Sequence, residues 1–209
     1  MTGTADMAAA RPRRGAPPKG AASARERILA TANELFYREG IHATGVDTVV
    51  ERSGVSKTSL YRAFRSKDEL IAAFAIERDR SFWAWWDRIE ERHAEDPRAL
   101  LEALLRRIAK LIGHPEYRGC PFLNLATELT DPDHPGRIVA QANKAQMRRR
   151  LAIVAAGLGA SDPARVASQW ALLINGAMVT GLVEAPADPG DELVEAAMNV
   201  LGSFRPDVD

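Results

Sequence analysis

Residues His42 to Leu70, HATGVDTVVERSGVSKTSLYRAFRSKDEL, decide how the rest of this chain is read. The stretch holds two short helical patterns and the start of a third, separated by residues that stop and start helices. Thr44 with Asp47 three residues on, and Ser66 with Glu69 three residues on, fit the reciprocal cap that satisfies free amides at a helix start, Asp being the weaker partner. Gly54 supplies the positive-φ position at which a helix ends and the chain turns sharply. Ser56 then caps SKTSLYRAF. Val46, Val49, Val50, Val55, Leu60 and Phe64 recur at helical spacing, which predicts a small core between two crossed helices. Lys57, Thr58, Ser59, Tyr61 and Arg62 are left outside. A short helix that exposes hydroxyls, a phenol and cations suits the DNA major groove, so the stretch reads as a helix-turn-helix.

Gly54-Val55-Ser56-Lys57, then Leu60-Tyr61, Phe64 and Ser66-Lys67-Asp68-Glu69-Leu70 resemble the signature of the tetracycline-repressor (TetR) family of bacterial regulators. The matching segment runs from about Arg25 to about Phe74, and several fixed spacings agree at once. The chain departs at Gly45, where the family often has a second Thr, and at Val49-Val50, where it often has Ile-Ala. The resemblance implies an all-α homodimer whose two heads sit in successive major grooves of a palindromic operator. It implies that Thr44, Ser56, Tyr61 and Lys67 hold phosphates, and that Lys57, Thr58, Ser59 and Arg62 face base edges. A cation at Lys67 opposes the dipole of the helix it starts, and a nearby phosphate would account for it. The resemblance also implies that a ligand entering the C-terminal body tilts the helix after Lys67, spreads the heads and releases the operator.

Charge agrees with a DNA-binding head. The chain is neutral overall, but residues 1–67 carry 12 Lys and Arg against 6 Asp and Glu, and residues 68–209 carry 16 against 22. The expected division is a disordered basic arm at 1–22 with Arg11, Arg13, Arg14 and Lys19, a helix-turn-helix domain at 23–67, and a ligand-binding and dimerisation body at 68–209. Ser23 and Glu26 form a capping box for the first helix, whose stripe is Ile28, Leu29, Ala32, Leu35 and Phe36, and Gly40 ends it.

In the body, a long helix is expected from near Lys67 to about His93. It carries Ile71, Ala75, Phe82, Trp86 and Ile89 on one face, flanked by Phe74 and Trp85, with Arg78 on that face and Trp83 nearby. Further helices are expected from Pro97 to about Ile112, from Pro121 to about Leu129, from Gly136 to about Gly157 and from Pro163 to about Glu184, with a last one carrying Leu193, Ala197, Val200, Leu201 and Phe204. Lys144 and Arg148 to Arg150 read as a solvated face. The Pro163 helix is apolar almost all round, which predicts burial on every side. Gly176 and Gly181 on it would allow close helix approach. We read the last two helices as the dimer surface, with Ile174, Met178, Leu193, Ala197, Leu201 and Phe204 at its centre. A mostly apolar, partly aromatic effector would be lined by Phe82, Trp85, Trp86, Leu104, Phe122, Met147 and Trp170, with Arg78, Asn124 and Asn175 orienting it.

Enzyme chemistry has no foothold. The sequence has no Walker loop, no G-x-G-x-x-G after a strand and no G-x-S-x-G elbow, and no cofactor is expected. His42, His93, His114 and His134 stand far apart and in no metal-ligand spacing. The single Cys120 excludes an internal disulfide. It lies at the mouth of a short helix two residues after Arg118, a setting that favours a thiolate and leaves a redox-responsive regulator as an alternative. Its neighbours Pro121-Phe122-Leu123 instead look like core. No uncharged apolar run reads as a membrane span and no signal peptide is evident, so the expected location is the cytoplasm. The other alternative is a helical interaction module that never touches DNA.

Overall fold

The structure, a computed structural model, describes residues 22–184 and 189–204. Among these residues it is wholly helical: α1 (Ala24–Arg38), α2 (Val46–Ser53), α3 (Lys57–Ala63), α4 (Lys67–Arg92), α5 (Pro97–Ile112), α6 (Pro121–Glu128), α7 (Pro135–Gly157), α8 (Pro163–Val183) and α9 (Gly190–Gly202). The basic arm expected at 1–22 falls outside the described residues except for its last position.

Helices α1 to α3 form a small head. Ser23 and Glu26 make the complete capping box: the Ser23 hydroxyl accepts from the Glu26 amide at 3.2 Å and the Glu26 carboxylate accepts from the Ser23 amide at 2.7 Å. Those bonds to Ser23 hold the Glu26 carboxyl below the usual carboxylate range. Ile28, Ala32, Leu35 and Phe36 of α1 meet Val49, Val55, Leu60 and Phe64, all buried. Gly54 adopts φ 63°, the left-handed turn that only glycine makes without strain, and Arg27 spans the turn by donating to the Ser53 carbonyl at 2.6 Å.

Two caps differ from expectation. Gly45, not Thr44, precedes α2 and offers no side-chain cap. Thr44 is instead buried, its hydroxyl donating to the Gly40 carbonyl at 2.7 Å. Asp47 is drawn away by Lys57, 2.6 Å distant. At α4 the Ser66 hydroxyl accepts from the Glu69 amide as expected, but the Glu69 carboxylate takes the Arg65 amide at 2.7 Å rather than closing the box on Ser66.

Helix α4 has 26 residues and spans about 39 Å, so it runs from the head through the body. It packs alongside α7. Asn143 pairs with Asp79 and Arg150 with Asp87 and Glu90, so both sequences rise together and the helices are parallel. Trp83 belongs to this seam: it is buried, its indole N–H donates to Asp79 at 2.9 Å, and Arg150 stacks on its ring at 4.4 Å. Of the stripe expected on α4, Ile71, Ala75 and Trp86 are buried, whereas Phe82 and Ile89, and the flanking Trp85, are only partly buried. Nor is Arg150 a solvated arginine, because two carboxylates and an indole claim it.

Helix α8 is not buried on every side. Trp170, Ala171, Ile174 and Met178 enter the core, whereas Leu172, Val179, Leu182 and Val183 face solvent. By length and composition alone this helix would allow a membrane span, contrary to the sequence reading. Two of its polar side chains are tied to other helices: the Trp170 indole N–H donates to the Ala197 carbonyl at 2.8 Å, and Asn175 accepts from Lys144 at 2.8 Å. Gly181 does permit close approach, since a Cβ there would lie 2.2 Å from Ile112, while Gly176 faces open space. Helix α9 lays Leu193, Ala197 and Leu201 against α5 and α8. A fully buried side chain of this size contributes roughly 1.5–3 kcal/mol, so the shared seam anchors α9.

Candidate nucleic-acid interface

Helix α3 presents the outer face of the head. Leu60 is its buried anchor, and Lys57, Thr58, Tyr61 and Arg62 are exposed. Ser56 caps it, its hydroxyl accepting from the Ser59 amide at 3.2 Å and sharing a hydrogen with the half-buried Ser59 hydroxyl at 2.9 Å. Ser59 therefore faces the cap as much as it faces outward. The Lys57 ammonium is held by Asp47, whose hydrogen bond and charge raise its pKa. Arg62 makes no ion pair among the described residues.

Two residues expected at phosphates have other partners. Thr44 is fully buried and its hydroxyl is spent on Gly40, so the side chain does not reach the surface. Lys67 is half-buried and donates to the Ile41 carbonyl at 2.6 Å, tying the α1–α2 loop to the start of α4. That bond answers the question of a cation at a helix start without requiring a phosphate.

The residues expected around an effector divide in two. Trp86, Leu104, Phe122, Met147 and Trp170 are each at most 2% exposed and lie in one continuous core. Phe82 sits at the hub of the aromatic group, with ring centroids 4.8 Å from Trp85, 5.7 Å from Trp86 and 5.9 Å from Phe122. The orienting groups are engaged elsewhere. Arg78 donates to the Asn33 carbonyl of α1 at 2.9 Å and stacks on Tyr37 and Phe74, and burial pushes its pKa down. Asn124 donates to the Arg118 carbonyl, and Asn175 accepts from Lys144. Among the buried polar atoms left without a partner are Arg78 Nε, the Trp86 indole N–H and the Asn143 side-chain oxygen.

Neither of two surface depressions is lined by these residues. One, of about 230 Å³, lies at the joint of head and body among His42, Lys67, Glu128 and His134. The other, of about 450 Å³, lies between the end of α4, the start of α5 and the end of α7.

The dimer residues also need correction. Ile174, Met178, Leu193, Ala197 and Leu201 are buried within a single chain, because α9 covers the inner face of α8. Phe204 is partly buried, and its carbonyl accepts from both the amide and the hydroxyl of Ser161. Of these two helices, α8 keeps an exposed apolar face, with Leu172, Val179, Leu182 and Val183, while Ile76, Ile138 and Ile153 are exposed on other helices. Cys120 precedes α6 and is 5% exposed. Sequence reasoning singled out neither Tyr37 nor Glu128. Both join the head to the body by hydrogen bonds across more than 80 residues, for which no local signal exists.

Residues 28–74 match the family described as bacterial regulatory proteins, tetR family. The whole fold is similar to the TetR-family transcriptional regulator SCO4454 of Streptomyces coelicolor, at 30% identity and TM-score 0.82, covering 88% of this chain and 96% of that one. It is similar also to a protein of Streptomyces avermitilis classed with the TetR transcriptional regulators, at 33% identity and TM-score 0.76, covering 88% and 98%. The uncharacterised HTH-type transcriptional regulator YxaF of Bacillus subtilis is 31% identical over 116 residues, which span 55% of this chain and 61% of that protein. A helix-turn-helix head on a helical body, with likeness across nearly the full length of solved relatives, places the chain in the TetR family of DNA-binding transcriptional regulators.

Proposed function

We propose that this chain is a homodimeric repressor, acting in the cytoplasm, that a small apolar or aromatic molecule releases from a palindromic operator. The observation that carries the DNA reading is the outer face of α3, where Lys57, Thr58, Tyr61 and Arg62 stand exposed over a buried apolar anchor. Arg62, Thr58 and Lys57 face base edges in this reading, with Asp47 steering Lys57. Ser56 and Tyr61 hold phosphates. Residues 23–67 form the head and 68–209 the body.

Support for the dimer comes from α8. Leu172, Gly176, Val179 and Val183 line one exposed stripe at helical spacing. Such a stripe is an interaction surface, and two copies related by a two-fold axis would cover each other's. Support for an effector in the body comes from the unpartnered Trp86 indole N–H among packed aromatic rings, and from the unpartnered Asn143 oxygen on the facing helix. Buried polar groups are normally paired, and an aromatic ligand bearing an acceptor would pair the Trp86 indole N–H. The ligand enters by parting these rings.

The test begins with duplexes selected from a random-sequence pool by the full-length protein. Palindromic winners whose binding weakens with salt, and release by members of a library of uncharged aromatic compounds together with saturable tryptophan quenching, are expected. Absence of any salt-sensitive duplex binding would instead identify an interaction module. DNA binding that no compound affects would remove the effector from the reading.

A further inference from the structure

The head is joined to the body by more than its covalent continuation into α4. At one end of α6, the Tyr37 hydroxyl, on the last turn of α1, donates to the Gly119 carbonyl at 3.1 Å and accepts from the Arg118 amide at 3.1 Å. At the other end, the Glu128 carboxylate accepts from the Ile41 and His42 amides at 2.7 Å and 3.1 Å, and the His42 ring pairs with the Glu128 carbonyl at 2.7 Å. A helix of eight residues is thus fastened at both ends to the head: to α1 and to the loop that leads into α2.

The same segment is fastened to α8. The Tyr117 hydroxyl donates to the Met178 carbonyl at 2.8 Å, and Gly119, at φ 87°, lies so close to Leu182 that an added Cβ would stand 2.8 Å from it. Residues 117 to 119 therefore bridge the helix that carries the exposed apolar stripe and the helix that backs the DNA-reading unit. The ring of Tyr37 is held from above by Arg78 of α4 at 4.7 Å, so its hydroxyl is aimed rather than free.

We propose that Tyr37 and Glu128 are positioning residues for operator binding: they lock residues 117–128 across the head–body joint and so fix the direction in which α3 points relative to α8. The proposal rests on the DNA-binding reading above. In a dimer paired through α8, the distance between the two recognition helices is then set by this strap as well as by α4. Half-site spacing is the property that a dimer reads through that distance.

The full-length Tyr37→Phe/Glu128→Ala double variant tests it, with Glu128→Gln as the conservative control that keeps an acceptor oxygen. The probes are a palindromic duplex selected with the wild type and two duplexes with the half-sites moved by one base pair in either direction. The wild type should prefer its own spacing. The double variant should lose about fivefold or more of that preference, the lower end of ordinary coupling between sites. Glu128→Gln should retain part of it. Backbone hydrogen exchange, which needs no DNA, should quicken at Ile41 and His42 and through α2 and α3 of the double variant. A double variant that keeps its spacing preference, or that weakens on all the duplexes by one common factor, overturns the proposal. If the wild type binds no duplex, the regulator reading has failed. Exchange then decides the strap alone: unchanged protection through α2 and α3 sinks it, and quickened exchange there sustains it.

Discussion

Arg62 and Lys67 look alike in the sequence, two cations on the same head, and the structure separates them. Arg62 is exposed on α3 without an ion pair among the described residues, whereas the Lys67 ammonium lies 2.6 Å from the Ile41 carbonyl. Arg62→Ala is expected to leave the fold intact, relax base preference and cost ~1–3 kcal/mol in operator affinity, read by binding isotherms on matched and mismatched duplexes. Lys67→Ala is expected to lower the urea midpoint, by about 1 kcal/mol of stability, because it leaves the carbonyl of the buried Ile41 without its partner. A Lys67 that served only a phosphate would leave the midpoint alone and shrink the salt slope by about one. Cys120 is decided at this scale too. A thiol 5% exposed, at the entrance to α6, is shielded from soluble oxidant. Cys120→Ser and wild type should bind the selected operator equally, and peroxide should release neither. Selective release of the wild type would make the cysteine a sensor.

At the scale of elements, α8 and α9 show how one apolar inventory serves two purposes. Leu201 is fully buried inside the chain, and a carboxylate there would be an unpaired buried charge. Leu201→Glu should unfold or aggregate the protein. Leu172→Glu with Val179→Glu changes only the exposed stripe, so it should give a helical monomer with its melting cooperativity intact and no tight operator binding. Sedimentation with circular dichroism distinguishes the two, and a dimer that survives the stripe variant would refute α8 pairing. The junction between α8 and the loop after α5 has a pH signature. Burial raises the Tyr117 phenol above its ordinary value of 10.0. The folded chain therefore keeps that proton longer than the unfolded chain. Stability is unaffected below the ordinary value and falls as pH rises above it. Urea titrations above pH 10 should show a steeper decline for wild type than for Tyr117→Phe; equal slopes would show that the phenol does not contribute.

For the molecule as a whole, the basic N-terminal third and the acidic remainder orient the protein toward DNA before any base is read. If a dimer neutralises 6–10 phosphates, affinity for the selected operator should fall by roughly 10³–10⁵ between 50 and 200 mM salt. A nearly flat salt response would remove the electrostatic reading of the head.

The sequence by itself determined the helical class, the turn at Gly54, the capping box at Ser23 and the helix-turn-helix, because each rests on bonds that close within one or two turns. Hydrophobic spacing likewise bounded the long helices to within a residue or two. Only the tertiary structure decided where the stripes went. Leu201 and Leu172 are equally apolar, and nothing local says that the first meets α5 and α8 while the second stays exposed. Ligand or phosphate roles are the natural reading of Arg78, Thr44 and Lys67, because their actual partners are the backbone carbonyls of Asn33, Gly40 and Ile41, which leave no mark on residue identity. Glu128 reads as an ordinary surface glutamate at a helix end until the fold brings it to the amide of Ile41, 87 residues earlier. A backbone amide can be met by many side chains, so no residue pattern announces the pair, and only packing of the helices selects it.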